Sequence, residues 1–232
     1  MDTRVPNQNS LVSVNNLSFS RGDKKIFDDI SLEFERGKIT AIMGPSGSGK
    51  STLLNILGTL DVPNSGEYIF LDTQIGSLSA DQRALFRRYL LGFIFQGYNL
   101  LKKTTSLENV EVPLIYQGID SKERKRMATE ALKDVGLEDR LYYDPGQLSG
   151  GQQQRVAIAR AMVTHPKILI ADEPTGNLDT KRGHEIMELI RTFNQQGITV
   201  IMVTHEDDIA AYASRTIYLR DGKIEKEVKR VS

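Results

Sequence analysis

Hydrophobic positions along this 232-residue chain change period several times, and each change predicts an element. Near the start, apolar and polar residues alternate. Leu11-Val12-Ser13-Val14, Leu17-Ser18-Phe19, Lys24-Lys25-Ile26-Phe27 and Ile30-Ser31-Leu32-Glu33-Phe34 read as half-buried strands, with Arg36-Gly37 as a turn. Gly66 to Leu71 adds another strand, so antiparallel material is expected around Lys38-Ile39-Thr40-Ala41-Ile42-Met43, a short buried strand. A helical period takes over in the middle. Ser79-Ala80-Asp81-Gln82 offers a cap before Arg83 to Arg88, a helix starts at Ser121 and stops at Gly136, and Gln152 to Met162 is helical. Lys167 to Ala171 and Ile198 to Val203 are continuous apolar runs, as in parallel strands buried on both faces. Between them, Lys181 to about Asn194 reads as a crossover helix, and Asp221-Gly222 turns a hairpin between Thr216 to Leu219 and Lys223 to Lys226. Residues 1 to about 10 are polar and read as a loose tail.

Gly44-Pro45-Ser46-Gly47-Ser48-Gly49-Lys50-Ser51 lies between the strand ending at Met43 and the helix opening at Thr52. Strand, glycine loop and helix together form a phosphate cradle, the P-loop. The glycines let backbone N–H groups converge on an anion, and the helix start adds partial positive charge. Lys50 is placed to reach β- and γ-phosphates, and the Ser51 hydroxyl to hold Mg²⁺. Asp172-Glu173 follows a buried strand, where carboxylates face the ligand crevice of an α/β sheet. Asp172 is the second candidate for Mg²⁺, and Glu173 the candidate base for an attacking water. Ser149-Gly150-Gly151-Gln152 opens another helix with a second anion-binding turn.

Composition narrows the partners. Lys plus Arg number 30 and Asp plus Glu 30, for a formal net charge of +0, which speaks against a nucleic-acid binder. There is no cysteine, hence no disulfide and no thiol nucleophile. No apolar run approaches the roughly 20 residues of a membrane span, and the first ten residues lack a signal-peptide core. A soluble chain is expected, reaching a membrane only through a partner.

Leu148-Ser149-Gly150-Gly151-Gln152 is identical to the signature of ATP-binding cassette (ABC) ATPases, and the remaining motifs of that family follow in order. The resemblance covers nearly the whole chain. It implies an α/β P-loop NTPase core, a mainly parallel sheet with helices, carrying an N-terminal antiparallel β subdomain and an inserted α-helical subdomain. On that basis residues 1–232 form one cassette, with the core at 11–96 and 159–232 and the helical subdomain at 97–158. The resemblance also implies two copies closing head to tail on two ATPs, with Ser149, Gly150, Gly151 and Gln152 of one copy reaching the nucleotide of the other. Phe95-Gln96 resembles the Q-loop, so Gln96 would touch Mg²⁺ or the lytic water. Asn177-Leu178-Asp179 resembles the D-loop at the dimer interface, and His205 the switch histidine at the γ-phosphate. In this family an aromatic residue usually stacks on adenine. Here Arg21 occupies that place in Leu17-Ser18-Phe19-Ser20-Arg21, leaving Arg21 and Phe19 as the candidates.

The stretch Leu91 to Leu101, Thr105 to Leu114 and Ala171 to Asp179 resembles the lipoprotein-releasing and macrolide-exporter branch. Ile26 to Leu32 and Gly37 to Gly44 also resemble phospholipid-trafficking cassettes, and cell-division-type regulatory cassettes belong to the first branch. The expected partners are a second copy and an integral-membrane permease contacting Gln96 to Lys103, at the cytoplasmic face of the inner membrane. Leu100-Leu101-Lys102-Lys103 is the expected contact surface.

Overall fold

The computed structural model describes residues 9–230. The predicted tail therefore lies largely outside the described residues, and Ser10 already belongs to a strand. Two sheets form the framework. In the first, β1 (Ser10–Arg21) pairs antiparallel with β2 (Lys24–Glu35) and with β4 (Ser65–Phe70), and β5 (Thr73–Gln74) pairs with β4. The predicted break at Asn15-Asn16 is instead a register shift inside one continuous strand, with Asn16 at φ 49°. A bulge places one unpaired residue without ending the ladder, so a polar pair in the sequence need not end a strand.

The second sheet runs in the order β10 (Lys223–Lys229), β9 (Arg215–Arg220), β3 (Ile39–Met43), β8 (Thr199–Val203), β7 (Ile168–Asp172), β6 (Leu91–Ile94). All its pairings are parallel except the β9–β10 hairpin. The central strands β3 and β8 are buried at every residue, as their unbroken apolar runs predict. Their successive side chains enter two different cores. Ile42, Ile201 and Val203 face a core shared with the antiparallel sheet and α1 (Lys50–Leu57), whereas Ala41, Met43, Val200 and Met202 face the other helices.

That second core joins α3 (Ser106–Tyr116), α4 (Ser121–Asp134), α5 (Gly150–Met162) and α6 (Thr180–Gln195). Helix α2 (Ala80–Leu90) precedes β6, and a single turn, α7 (Asp207–Ala210), follows β8. The sequence pattern did not predict α3. Its signal is a capping box, in which Thr105 accepts from the Glu108 N–H while the Glu108 carboxylate accepts from the Thr105 N–H at 2.7 Å. The architecture is the expected one: a mainly parallel α/β core, an antiparallel β layer and a helical insertion.

Candidate functional site

The glycine loop joins β3 to α1, and its conformation explains its composition. Gly44, Gly47 and Gly49 have φ of 151°, 80° and 101°, which side chains of L-residues rarely adopt. Space forbids a side chain as well. A Cβ on Gly44 would lie 2.1 Å from the Leu219 carbonyl oxygen, and one on Gly49 would lie 2.5 Å from the Phe27 ring. The loop is thus pressed against β2 and β9 with its inner face left to a ligand.

Helix α1 starts at Gly49 with no side-chain cap and no acidic residue in its first turn. By contrast, α2, α3, α4, α5 and α6 each start with a side chain accepting from their own first N–H groups. The amides that open α1 therefore remain available to an anion. Lys50 Nζ donates to the carbonyls of Gly44 at 2.8 Å and Pro45 at 2.9 Å, folding over the loop it would otherwise open toward a phosphate. Ser48 Oγ is buried without a hydrogen-bond partner.

Gly44, Pro45, Ser46, Gly47, Gly49, Lys50, Ser51 and Thr52 line a cleft of about 510 Å³ together with Lys24, Ile26, Glu173 and His205. The far wall comes from the ends of β7 and β8, which the parallel register sets side by side: Asp172 pairs with Val203. Burial and the neighbouring Glu173 charge hold the Asp172 carboxyl above its ordinary range, while the Ser51 hydroxyl and Lys50 pull it back. Glu173 sits at φ 46°, a strained conformation for a side-chain-bearing residue. Its carboxylate is gripped from both sides. Gln96 Nε2 donates to one oxygen at 2.7 Å, and His205 Nδ1 lies 3.2 Å from the other.

Gln96, Glu173 and His205, predicted separately, thus converge on one carboxylate. Asn177 joins them by donating to the Gln96 carbonyl at 2.5 Å. The Ser51 hydroxyl and the Asp172 carboxylate, hydrogen-bonded to each other, are hard-oxygen donors of the kind that fits Mg²⁺, and Gln96 is tied to the same end of the sheet through Glu173. Among the described residues no group of three or more His, Cys, Asp or Glu side chains could hold a metal ion, so any Mg²⁺ here would need phosphate and water oxygens to complete its shell.

The signature residues stand apart from this cleft, at the start of α5. Ser149 caps its own helix: its hydroxyl accepts from Gln152 N at 3.4 Å, and Gln152 Oε1 accepts from Ser149 N at 2.9 Å. Two residues of α5 that the motif reading passed over tie it to the site. The buried Gln154 donates to the Pro174 carbonyl at 2.7 Å, next to Glu173. Arg160 donates to the carbonyls of Tyr98 at 2.8 Å and Asn99 at 2.7 Å, clamping the loop that follows Gln96. Neither carries a signal in the sequence, since their partners are backbone carbonyls of distant segments that meet them only once α5 is docked.

The adenine candidates fare differently. Phe19 is only 9% exposed, its ring packed in the core between the sheets. Arg21 reaches Asp61 at 3.5 Å, and its side chain is 68% exposed. Neither lines the cleft, because inward alternation along β1 turns Phe19 into the core and the hairpin brings Lys24 and Ile26 of β2 to the cleft instead. In the stretch expected to meet a membrane partner Leu101 is exposed, and a mainly apolar groove of about 560 Å³ that includes Asn99 of the same loop is lined by Leu60, Phe93, Phe95, Val112, Pro113 and Tyr116 with Arg87 and Arg88.

Residues 27–176 match the family model described as ABC transporter. The chain is 51% identical over 208 residues to an uncharacterized ABC transporter ATP-binding protein of Methanocaldococcus jannaschii, MJ1508, covering 89% of this chain and 93% of that one. It is 50% identical over 209 residues to the macrolide export ATP-binding/permease protein MacB of Photorhabdus laumondii, covering 89% of this chain but 32% of MacB, so it spans about a third of such relatives. Among solved structures it is similar to the dimeric ATP-binding cassette MJ0796 in a post-hydrolysis state bound to ADP and Pi, with TM-score 0.87 and 43% identity over 95% of this chain and 99% of that one. With its cleft, its gripped carboxylate and its capped signature helix accounted for, the chain belongs to the ABC transporter family, as an ATP-binding cassette.

Proposed function

We propose that this chain hydrolyses ATP as one half of a dimer that drives a membrane permease of exporter type. The observation that carries the proposal is the convergence of Gln96 and His205 on Glu173 beside an uncapped P-loop helix. The mainly apolar groove beside the Gln96 loop, the dimeric neighbour holding ADP and Pi, and the fused permease of the MacB relatives support it.

On this reading the triphosphate displaces Lys50 from the Gly44 and Pro45 carbonyls and takes its ammonium. The amides of the loop and the first turn of α1 then hold the β- and γ-phosphates. Ser51, Asp172 and Gln96 are the residues that would hold Mg²⁺, which supplies charge neutralisation on the phosphate oxygens. Glu173 takes a proton from the attacking water, and His205 orients the Glu173 carboxylate and faces the γ-phosphate. Gly150, Gly151 and the Ser149 hydroxyl of a second copy complete the site. Gln154 and Arg160 link that copy's α5 to its own Pro174 and to the loop after Gln96, so closure on ATP moves the apolar groove. A helix of the permease seated against Phe93, Phe95 and Tyr116 would follow it. Among the described residues no helix is long and apolar enough to cross a membrane, so this role needs a membrane partner.

The test is phosphate release from MgATP by the purified chain and by Glu173→Gln. Turnover that falls at least a hundredfold in the variant, with ATP binding retained, is expected. Undiminished turnover would remove Glu173 as the base. A photo-crosslinker at Tyr116 should label a multispanning membrane protein in native membranes, and labelling of none would refute the groove assignment.

A further inference from the structure

Glu173 and His205 stand on separate segments, one following β7 and the other following β8. The His205 side chain is 61% exposed, and its ring is hydrogen-bonded to Glu173 alone among the described residues, so packing does not fix it. The two segments are cross-linked on either side of that contact. The Glu173 N–H donates to the Val203 carbonyl at 3.0 Å, and the Thr175 hydroxyl donates to Glu206 Oε1 at 3.1 Å. Thr175 is buried, with its methyl group against the start of α6: a Cβ on Gly183 would lie 3.5 Å from Thr175 Cγ2. Glu206 is half-buried and forms no salt bridge among the described residues, so the Thr175 hydroxyl is what holds its carboxylate. The Glu206 backbone is fixed too, its N–H donating to Thr204 Oγ1 at 3.1 Å.

We propose that Thr175 and Glu206 are positioning residues for hydrolysis, whose hydrogen bond holds the segment after β8 against the turn after β7 and so keeps His205 on Glu173. The inference rests on the hydrolytic reading above and adds two residues that do not line the cleft. A buried hydroxyl needs a partner wherever it lies, and a backbone carbonyl would satisfy it. Here the partner is a carboxylate one residue beyond His205, and a bond to an ionised acceptor is stronger than a neutral one. Glu173 sits at φ 46°, a conformation that persists only where its surroundings over-determine it, and Thr175 is two residues on. Without the bond, Glu173 keeps its Val203 anchor, but the backbone at His205 and Glu206 loses its tie to the Glu173 turn. The imidazole then no longer returns to one place beside the carboxylate. Misplacement of a reacting group by about 1 Å costs about a hundredfold in rate.

Thr175→Val keeps the shape of the side chain and removes the hydroxyl. In the purified full chain it should lower kcat for MgATP at least about tenfold, while the MgATP dissociation constant stays within about threefold of wild type. Thr175→Ser, which keeps the hydroxyl, should return kcat to within about threefold of wild type. Thr175→Val combined with Glu206→Ala should lose no more than the larger single loss, because both changes remove one bond. A second signature is read without nucleotide. A carboxylate only accepts, so the His205 ring proton facing Glu173 is on Nδ1. The chain has three histidines, and His205→Gln identifies the side-chain nitrogen NMR signals of His205. These should report the Nδ1 proton in wild type and Thr175→Ser and shift in Thr175→Val and Glu206→Ala. Should Thr175→Val melt too early to assay, Glu206→Ala carries both readouts. Unshifted His205 signals, additive losses, or a kcat for Thr175→Val within about threefold of wild type would overturn the proposal. A wild-type chain that does not hydrolyse MgATP would overturn the hydrolytic reading instead, and the His205 signals would still decide whether this bond places the imidazole.

Discussion

Tyr68→Phe removes one oxygen from the interior and nothing else. Tyr68 stands in β4, wholly buried, and its hydroxyl donates to the Leu57 carbonyl at 2.5 Å. Leu57 is the last residue of α1, one of the four at a helix end whose carbonyls have no following N–H to accept from. The bond thus ties the far end of α1, the helix that opens at the glycine loop, to the antiparallel sheet. Phenylalanine fills the same ring volume, so no cavity term arises and the cost is that of an unsatisfied buried acceptor, about 2 kcal/mol. At roughly 2–4 °C per kcal/mol for a chain of this size, the melting temperature should fall by about 4–8 °C. Burial pushes the Tyr68 phenol well above its ordinary range. A raised folded pKa stabilises fully below the unfolded value and is lost as pH rises past it. The gap between wild type and variant should therefore be constant from neutral pH to about 9 and shrink above about 10, where the unfolded phenol ionises. ATP affinity should stay within about twofold, since Lys50 and Ser51 occupy the opposite end of α1. Urea unfolding and differential scanning calorimetry read the first effect, and titration calorimetry the second. A loss below about 0.5 kcal/mol, or a gap that changes between pH 7 and 9, would refute the assignment of that hydrogen bond.

Asp172→Asn should raise the melting temperature of the nucleotide-free chain at pH 7, because burial and Glu173 disfavour the Asp172 charge. That gain should vanish as pH falls below the ordinary aspartate value, where the unfolded carboxyl also protonates, and an unchanged melting curve at pH 7 would contradict it. The same variant should weaken Mg²⁺-dependent stimulation of ATP binding, read by titration with and without the metal. Gly49→Ala should abolish nucleotide binding at any ATP concentration tested, since its Cβ would meet the Phe27 ring at 2.5 Å and its φ of 101° excludes a side chain; binding within about tenfold of wild type would contradict this. Asn109→Ala should destabilise by about 2–4 kcal/mol, because buried Asn109 accepts from Leu101 N at 2.7 Å and donates to Thr104 Oγ1 at 2.8 Å, and urea midpoints will show it.

The residues of the candidate phosphate cradle were legible because their chemistry is local. A P-loop needs glycines at fixed offsets between a strand and a helix, and Gly44, Gly49, Lys50 and Ser51 carry that requirement in eight consecutive positions. Asp172 and His205 could be placed because unbroken apolar runs marked β7 and β8 and put both residues at strand ends. What the sequence hid depends on distant segments meeting. Phe19 looked like a base-stacking ring, yet its alternation with Leu17 turns it inward, and only the β1–β2 hairpin shows that Ile26 takes the cleft. Helix α3 lacks a clean stripe and contains Pro113, so its period was weak although its Thr105–Glu108 capping box was present. Gln154 and Arg160 look like ordinary polar positions on an amphipathic helix until α5 docks against Pro174 and the loop at Tyr98.

The central claim is that Glu173 serves a site completed by a second copy of the chain. Sedimentation velocity of Glu173→Gln with saturating MgATP, MgADP or no nucleotide addresses it most directly. The account predicts a dimer with MgATP and a monomer in the other two conditions, because bridging the P-loop of one copy and Ser149 of the other needs a phosphate at the γ-position, which MgADP alone does not supply. A monomer at saturating MgATP, or a dimer indifferent to nucleotide, would contradict it.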